Sequence, residues 1–341
     1  MSHNVDDCFS LVYIYFAMTG AKISNPPTLV QLFDDFLEHL EIEKGSSPLT
    51  IRNYRHYLLR FHNWLNLQKL SSNLASITPE SVRQYRVYLS RLSDGKGGQI
   101  AKKTQGYHII ALRSFLKWMN KTGFNAMSPE LLDLPKIEDR QVHFLSGDQV
   151  DRLLSAPSLS SIVGKRDKAI LELLFSTGLR VSELTKLDRE TVDFEHREFG
   201  IVGKGGRARV VFLSSRAAEW LKIYLDARHD QFNPLFIRHR GKVDPTMEDD
   251  DMRLTPRSVQ RLVKKYARKV KLPVDVTPHV IRHSFATDLL IAGADLRSVQ
   301  EMLGHKNVAT TQIYTHVTNK QLRSIHEQFH SKSDLKEGSP S

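Results

Sequence analysis

From residue 28 onward, large apolar residues recur at three- and four-residue intervals in four successive stretches, which predicts four amphipathic helices. Thr28 is placed to cap the first, which runs to about Lys44 with Leu29, Phe33, Phe36, Leu37 and Leu40 on one stripe, and Gly45 ends it. A second opens after Ser47-Pro48 and carries Tyr54, Leu58, Phe61 and Leu65. Thr78-Pro79-Glu80 starts a third, through Tyr85, Tyr88, Leu89 and Leu92. Beyond the glycine-rich turn Asp94–Gly98, a fourth turns Ile109, Leu112, Phe115, Leu116 and Met119 inward. Four helices of this length predict a compact bundle.

Between Leu134-Pro135 and about His143 the chain becomes polar, which marks a linker. A second domain begins near Phe144. Ser146 is placed to cap a helix to Leu154, and Arg166–Phe175 is apolar enough to be a core helix. Then the period changes. Val192–Glu195, Glu198–Val202 and Ala208–Leu213 form the β region, the last two flanking a glycine turn. Helical signals return at about Ser215–Ala227, Pro256–Val270, Pro278–Ala292, Asp295–Leu303, Ala309–Tyr314 and Asn319–Phe329. The acidic stretch Val243–Met252 reads as a solvated loop, and residues 331–341 as a disordered tail. The predicted fold class is mainly α with a small antiparallel β-sheet. Its parts are an extension at 1–26, a helical bundle at 27–133, a linker at 134–143 and a second domain at 144–330.

Charge sharpens this outline. The net charge of +11 and pI near 9.6 favour a polyanion: DNA, RNA or an anionic membrane face. Arg52 to Lys121 holds thirteen Lys or Arg against only Glu80 and Asp94, an excess equal to the net charge of the whole chain. Such concentration marks a binding face. Arg52, Arg55, Arg83, Arg86, Lys102, Lys103, Arg113 and Lys117 mostly fall off the apolar stripes, where they can meet a phosphate backbone. The single cysteine, Cys8, excludes a disulfide framework or multi-cysteine metal site and fits a cytoplasmic location. The apolar run Cys8–Met18 is too short to span a bilayer and lacks the basic flank of a signal peptide. It reads as an extension that docks on the protein or arises from an upstream start codon.

Four stretches of the second domain carry chemistry: Ser176–Glu183, Gly203–Gly206, Thr277–His283, and Leu303-Gly304-His305 with Tyr314 beyond it. They supply two arginines, a lysine, histidines and a tyrosine. Attack on a phosphodiester requires that its charge be neutralised, the nucleophile activated and the leaving group protonated. No tight acid cluster lies near these motifs to hold a metal ion, so the cations must be side chains. Arg180 and Arg282 suit this, because a guanidinium stays charged and matches phosphate oxygens in a planar fork. Thr277-Pro278 starts a helix whose first turns present His279 and Arg282 on one face. Taken singly, these residues also fit a surface pair beside a core stripe, Gly203–Gly206 fits a plain turn, and His305 fits a capping histidine.

Together, the order and spacing resemble the tyrosine recombinases (the integrase family), with wording closest to the Xer-type branch. The resemblance covers roughly residues 28–330 and is strongest from Thr277 to Val317. It implies a core-binding, SAM-like N-terminal domain and a tyrosine-recombinase catalytic domain that close on DNA as a C-shaped clamp. It assigns Tyr314 as nucleophile, Arg180, Arg282 and His305 to the phosphate, His279 as base, Lys204 as the acid that protonates the 5′-oxygen, and Glu183 in support. No cofactor or metal is implied. The partners implied are double-stranded DNA and further protomers: a tetramer on two sites, homomeric or with a paralogue, under a possible DNA translocase, with no membrane. Chromosome-dimer resolution is the expected task. The alternatives are an integrase or transposase of a mobile element, a type IB topoisomerase, and a non-catalytic DNA-binding protein.

Overall fold

The computed structural model describes residues 27–95, 97–134, 143–203, 208–239, 241 and 247–304. The chain divides into two compact units, Met1–Asp139 and Arg140–Ser341.

Among the described residues of the first unit there are four α-helices, the first three started by caps: α1 (Leu29–Ile42), α2 (Pro48–Leu67), α3 (Pro79–Arg91) and α4 (Lys102–Lys121). The side chains of Thr28, Ser47 and Thr78 each accept a backbone N–H of the first turn. Pro48 and Pro79 occupy first helical positions, where a missing N–H costs nothing. α4 follows Ala101 and has no side-chain cap. The apolar stripes meet in one core containing Phe33, Phe36, Leu58, Phe61, Leu65, Leu89, Leu112 and Phe115. Phe33 and Phe36 pack edge-on against Phe115 at 4.8 and 5.7 Å between centroids. Leu40, Tyr54 and Tyr88 lie on the border of this core, only partly buried. A titratable side chain, His108, is enclosed with them. His108 is 2% exposed, its Nδ1 is 3.0 Å from the Tyr85 hydroxyl, and burial pushes its pKa down to about 4.

The second unit contains α5 (Gly147–Leu154), α6 (Ile162–Thr177), the one-turn α7 (Val181–Leu184), β1 (Glu198–Val202), β2 (Ala208–Phe212) and α8 (Ser215–Asp226). After these come the one-turn α9 (Asp249–Met252), α10 (Pro256–Lys269), α11 (Pro278–Ile291) and α12 (Leu296–Leu303). α6 is the central element, buried on most sides and packed by α8 and α11. β1 and β2 pair antiparallel from Glu198↔Phe212 to Val202↔Ala208. Alternation sends Phe199, Ile201 and Val211 into the core and leaves Val202, Val210 and Phe212 exposed.

Two expectations are corrected. Val192–Glu195 is not a strand. The Asp193 carboxylate accepts the Glu195 and His196 N–H groups at 2.8 and 3.0 Å and folds the segment into a turn, leaving a single bridge to Glu198. The described end of the acidic insertion is not a free loop either. Met252 is 2% exposed, the Asp249 carboxylate accepts the Asn233 N–H at 3.0 Å, and Arg253 bridges Asp250 and Asp188 at 2.9 and 2.8 Å. The extension at 1–26, most of the linker, residues 243–246, the helices expected after Gly304 and the tail lie outside the described residues. No helix among the described residues is long and apolar enough to cross a membrane.

Candidate active site

The site begins where α6 stops. Thr177 turns its hydroxyl back to the Leu173 carbonyl at 2.6 Å, and Gly178 takes a left-handed φ of 59°. A Cβ on Gly178 would stand 2.5 Å from Phe285 Cδ1 and 3.0 Å from Leu303 Cδ2, so both conformation and space demand glycine. Two residues later Arg180 heads the one-turn α7. Its backbone N–H donates to Glu183 Oε2 and its Nη1 to Glu183 Oε1, both at 2.9 Å.

Arg282 arrives from α11. Thr277 caps this helix and Pro278 is its first residue, so His279 and Arg282 stand on its first two turns. Ala286 and Leu290 continue the stripe into an apolar cluster with Phe285, Val299 and Leu303. Arg282 is 5% exposed and donates to the Gly178 carbonyl through Nη1 and to the Leu303 carbonyl through Nη2, both at 2.5 Å. Arg180 donates through Nη2 to the next carbonyl, Gly304, at 3.2 Å. The two guanidiniums therefore converge on consecutive carbonyls at the C-terminal end of α12. Helix-end carbonyls and the negative end of the macrodipole favour cations there.

The titratable groups are tuned accordingly. Desolvation of its partly covered ring, then the charges of Arg282 and Arg180, hold His279 below the usual imidazole range. A neutral imidazole beside two guanidiniums can accept a proton at neutral pH. Burial, His279 and Arg282 push His283 down to about 4. Burial alone would raise the pKa of Glu183. Hydrogen bonds from Arg209 and Arg180 outweigh it and hold this 8%-exposed carboxylate below its ordinary value.

Arg209 was not legible in the motifs. It reaches Glu183 from β2, with Nη1 3.2 Å from Oε1 and Nη2 2.8 Å from Oε2. A signal did exist. Alternation puts Arg209 on the same face as Val211, and an arginine on a core face calls for a carboxylate partner.

Of the expected site, Arg180, Glu183, His279 and Arg282 are brought together. Lys204, His305 and Tyr314 lie outside the described residues. The two described tyrosines of this unit are poor nucleophiles. Tyr224 and Tyr266 are 0% and 4% exposed, their hydroxyls lie 3.1 and 2.9 Å from His239 and Asp167, and burial pushes both phenols up.

The eight basic residues of the bundle divide by their partners. Arg55 pairs with Asp34, Arg83 with Glu80 and Arg113 with Glu130 at 2.7, 2.7 and 2.6 Å. Arg86 donates to the Asp133 carbonyl, and Lys103 stands 5.9 Å over the Tyr107 ring. Arg52, Lys102 and Lys117 are exposed and make no ion pair among the described residues.

Comparison with known proteins agrees with this architecture. The phage integrase family matches residues 143–321, and the phage integrase N-terminal SAM-like domain matches 33–123. The tyrosine recombinase XerD of Staphylococcus saprophyticus is 35% identical over 89% of this chain and 99% of its own length. The tyrosine recombinase XerC of Myxococcus xanthus is 36% identical over 90% and 99%. Among solved structures, the Tn1549 transposon integrase in complex with transposon right-end DNA superposes with a TM-score of 0.67. It covers 89% of this chain and 100% of that one at 18% identity, which speaks for the fold. The fold, the motifs and full-length relatives above 30% identity agree, and the chain belongs to the phage integrase family of tyrosine recombinases.

Proposed function

We propose that this protein is a site-specific DNA recombinase that cuts and rejoins DNA through a 3′-phosphotyrosyl intermediate. One observation carries the reading: Arg180 and Arg282, from separate elements, converge on the Leu303 and Gly304 carbonyls with His279 in electrostatic reach. His305 is the next residue in sequence, and Tyr314 follows nine residues later.

In this mechanism the two guanidiniums take the non-bridging oxygens of the scissile phosphate, assisted by His305. The Tyr314 phenol has an intrinsic pKa of about 10 and needs a base to attack at neutral pH. His279 accepts its proton as the Tyr–O–P bond forms. Lys204 delivers a proton to the departing 5′-oxygen as the P–O bond breaks. A 5′-hydroxyl from a partner strand then reverses both transfers. One phosphoester replaces another at each step, so no external energy source is required.

The relatives named XerC and XerD, similar along nearly their whole lengths, support an Xer-type role in resolving chromosome dimers in the cytoplasm. That role calls for four protomers on two sites, alone or with a paralogue, with a DNA translocase as regulator. The domain limits follow the same reading: a core-binding domain at 27–133 and a catalytic domain at 144–330. Incubation with a nicked, site-bearing duplex tests the chemistry. The expected product is a protein–DNA adduct that survives denaturant and EDTA. Relaxation of supercoiled DNA without pairing of sites would instead favour a type IB topoisomerase.

A further inference from the structure

The chemistry above gives no task to Arg209, a largely covered cation beside the site. Arg209 projects from the inner face of β2, five residues after Lys204 in sequence, with its side chain 12% exposed. We propose that Arg209 is a positioning residue that keeps Glu183 ionised and thereby locks Arg180 into its phosphate-binding pose. This inference rests on the recombinase reading.

The geometry is specific. Among the described residues, Glu183 accepts four N–H groups: the Arg180 backbone N–H and Arg209 Nη2 on Oε2, and Arg180 Nη1 and Arg209 Nη1 on Oε1. The two arginines therefore share both oxygens of one carboxylate. Arg209 also packs against the end of α12, where a Cβ on Gly304 would lie 3.1 Å from its Nη1 and 3.3 Å from its Cδ. The Gly304 carbonyl is the acceptor of Arg180 Nη2. One side chain thus touches both partners that orient Arg180. Its own Nε is buried with no hydrogen-bond partner among the described residues, so the guanidinium serves the carboxylate at the expense of another donor.

Among the described residues, Arg180 and Arg209 are the charged groups that hydrogen-bond Glu183. Arg253 instead donates to the Thr185 and Leu187 carbonyls and pairs with Asp188. Arg282 of α11 donates to the Gly178 and Leu303 carbonyls, and the end of α12 meets the arginines through the Leu303 and Gly304 carbonyls. Removal of Arg209 would take two of the four donors and leave the carboxylate in the buried setting that raises its pKa. Protonation of Glu183 would then release the Nη1 end of Arg180.

The test is single-turnover cleavage of the nicked duplex by the full chain across a range of pH, with DNA affinity measured alongside. Arg209→Gln should form the adduct roughly ten- to a hundred-fold more slowly at neutral pH, at the lower edge of losing a direct phosphate donor, with DNA affinity changed by less than about twofold. Its acidic limb should move to higher pH than that of the wild type. Arg209→Lys should recover part of the rate, because it restores charge but not the planar fork. In a Glu183→Gln background, Arg209→Gln should add little further loss and should no longer shift the limb. Wild-type rate and limb in Arg209→Gln, or fully additive losses in the double variant, would overturn the proposal. If Arg209→Gln does not fold, the cycle of Arg209→Lys with Glu183→Gln makes the same demand for non-additivity. Failure of the recombinase reading shows separately, as no adduct in the wild type.

Discussion

Replacement of Gly178 by alanine tests whether the turn after α6 sets the site. The substitution has two costs that can be separated. Holding a non-glycine residue at φ 59° costs roughly 1–2 kcal/mol. The new Cβ would also sit 2.5 Å from Phe285 Cδ1 and 3.0 Å from Leu303 Cδ2. Phe285 is 8% exposed and Leu303 1%, so neither ring nor branch can swing away freely, and overpacking of this kind costs about 1–3 kcal/mol. The catalytic unit should therefore lose roughly 2–5 kcal/mol. Its chemistry should suffer beyond this, because the Gly178 carbonyl holds Arg282. With 5-fluorotryptophan incorporated, fluorine NMR during urea titration resolves the three tryptophans. The Trp220 resonance reports this unit, and those of Trp64 and Trp118 report the bundle. Only the Trp220 transition should move to lower urea. Phe285→Leu in the alanine background should recover the share of the steric cost owed to the ring and leave the conformational part. A shift below about 0.5 kcal/mol with normal cleavage would refute the reasoning, since it lies inside the range of ordinary surface substitutions.

Lys204→Ala should slow cleavage and be largely rescued by a duplex with a 5′-thiolate leaving group, which needs no proton; a persistent defect would remove Lys204 from the general-acid role. Arg52→Ala, Lys102→Ala and Lys117→Ala should each weaken DNA binding and lower the salt slope by about one unit, measured by fluorescence anisotropy. Arg83→Ala should do less, because Glu80 already neutralises that guanidinium. His108 should make the bundle acid-sensitive. Its folded pKa of about 4 lies below the unfolded value of about 6.5, so its contribution is full above 6.5 and falls by about 3 kcal/mol as pH drops to 4. The Trp64 and Trp118 resonances should show that loss in the wild type, and a stability independent of pH across this window would contradict it.

The helical framework was legible because its signals are local. Thr28, Ser47-Pro48, Thr78-Pro79, Ser146 and Thr277-Pro278 announce helix starts within a few residues of the turn they cap. The misread segment at Val192–Glu195 has the alternation of a strand, yet two hydrogen bonds to the Asp193 carboxylate override that weak preference. Met252 and Arg253 were hidden for another reason. Their anchors, notably Asp188, lie far away in sequence, and the surrounding acids advertise only solvent. At the site, Arg180 and Arg282 stand out as motif residues, but their meeting at Leu303 and Gly304 is a tertiary event. The partnership of Arg209 with Glu183 likewise depends on a strand register that composition does not specify.

The attachment point of DNA in the trapped adduct tests the central claim most directly. Nuclease trimming followed by trypsin should leave a nucleotide 3′-phosphate on the peptide of residues 307–320, which holds Tyr314 and no other tyrosine. Tyr314→Phe should yield no adduct. A nucleotide mapped to any other residue, or an adduct that persists in Tyr314→Phe, would contradict the account.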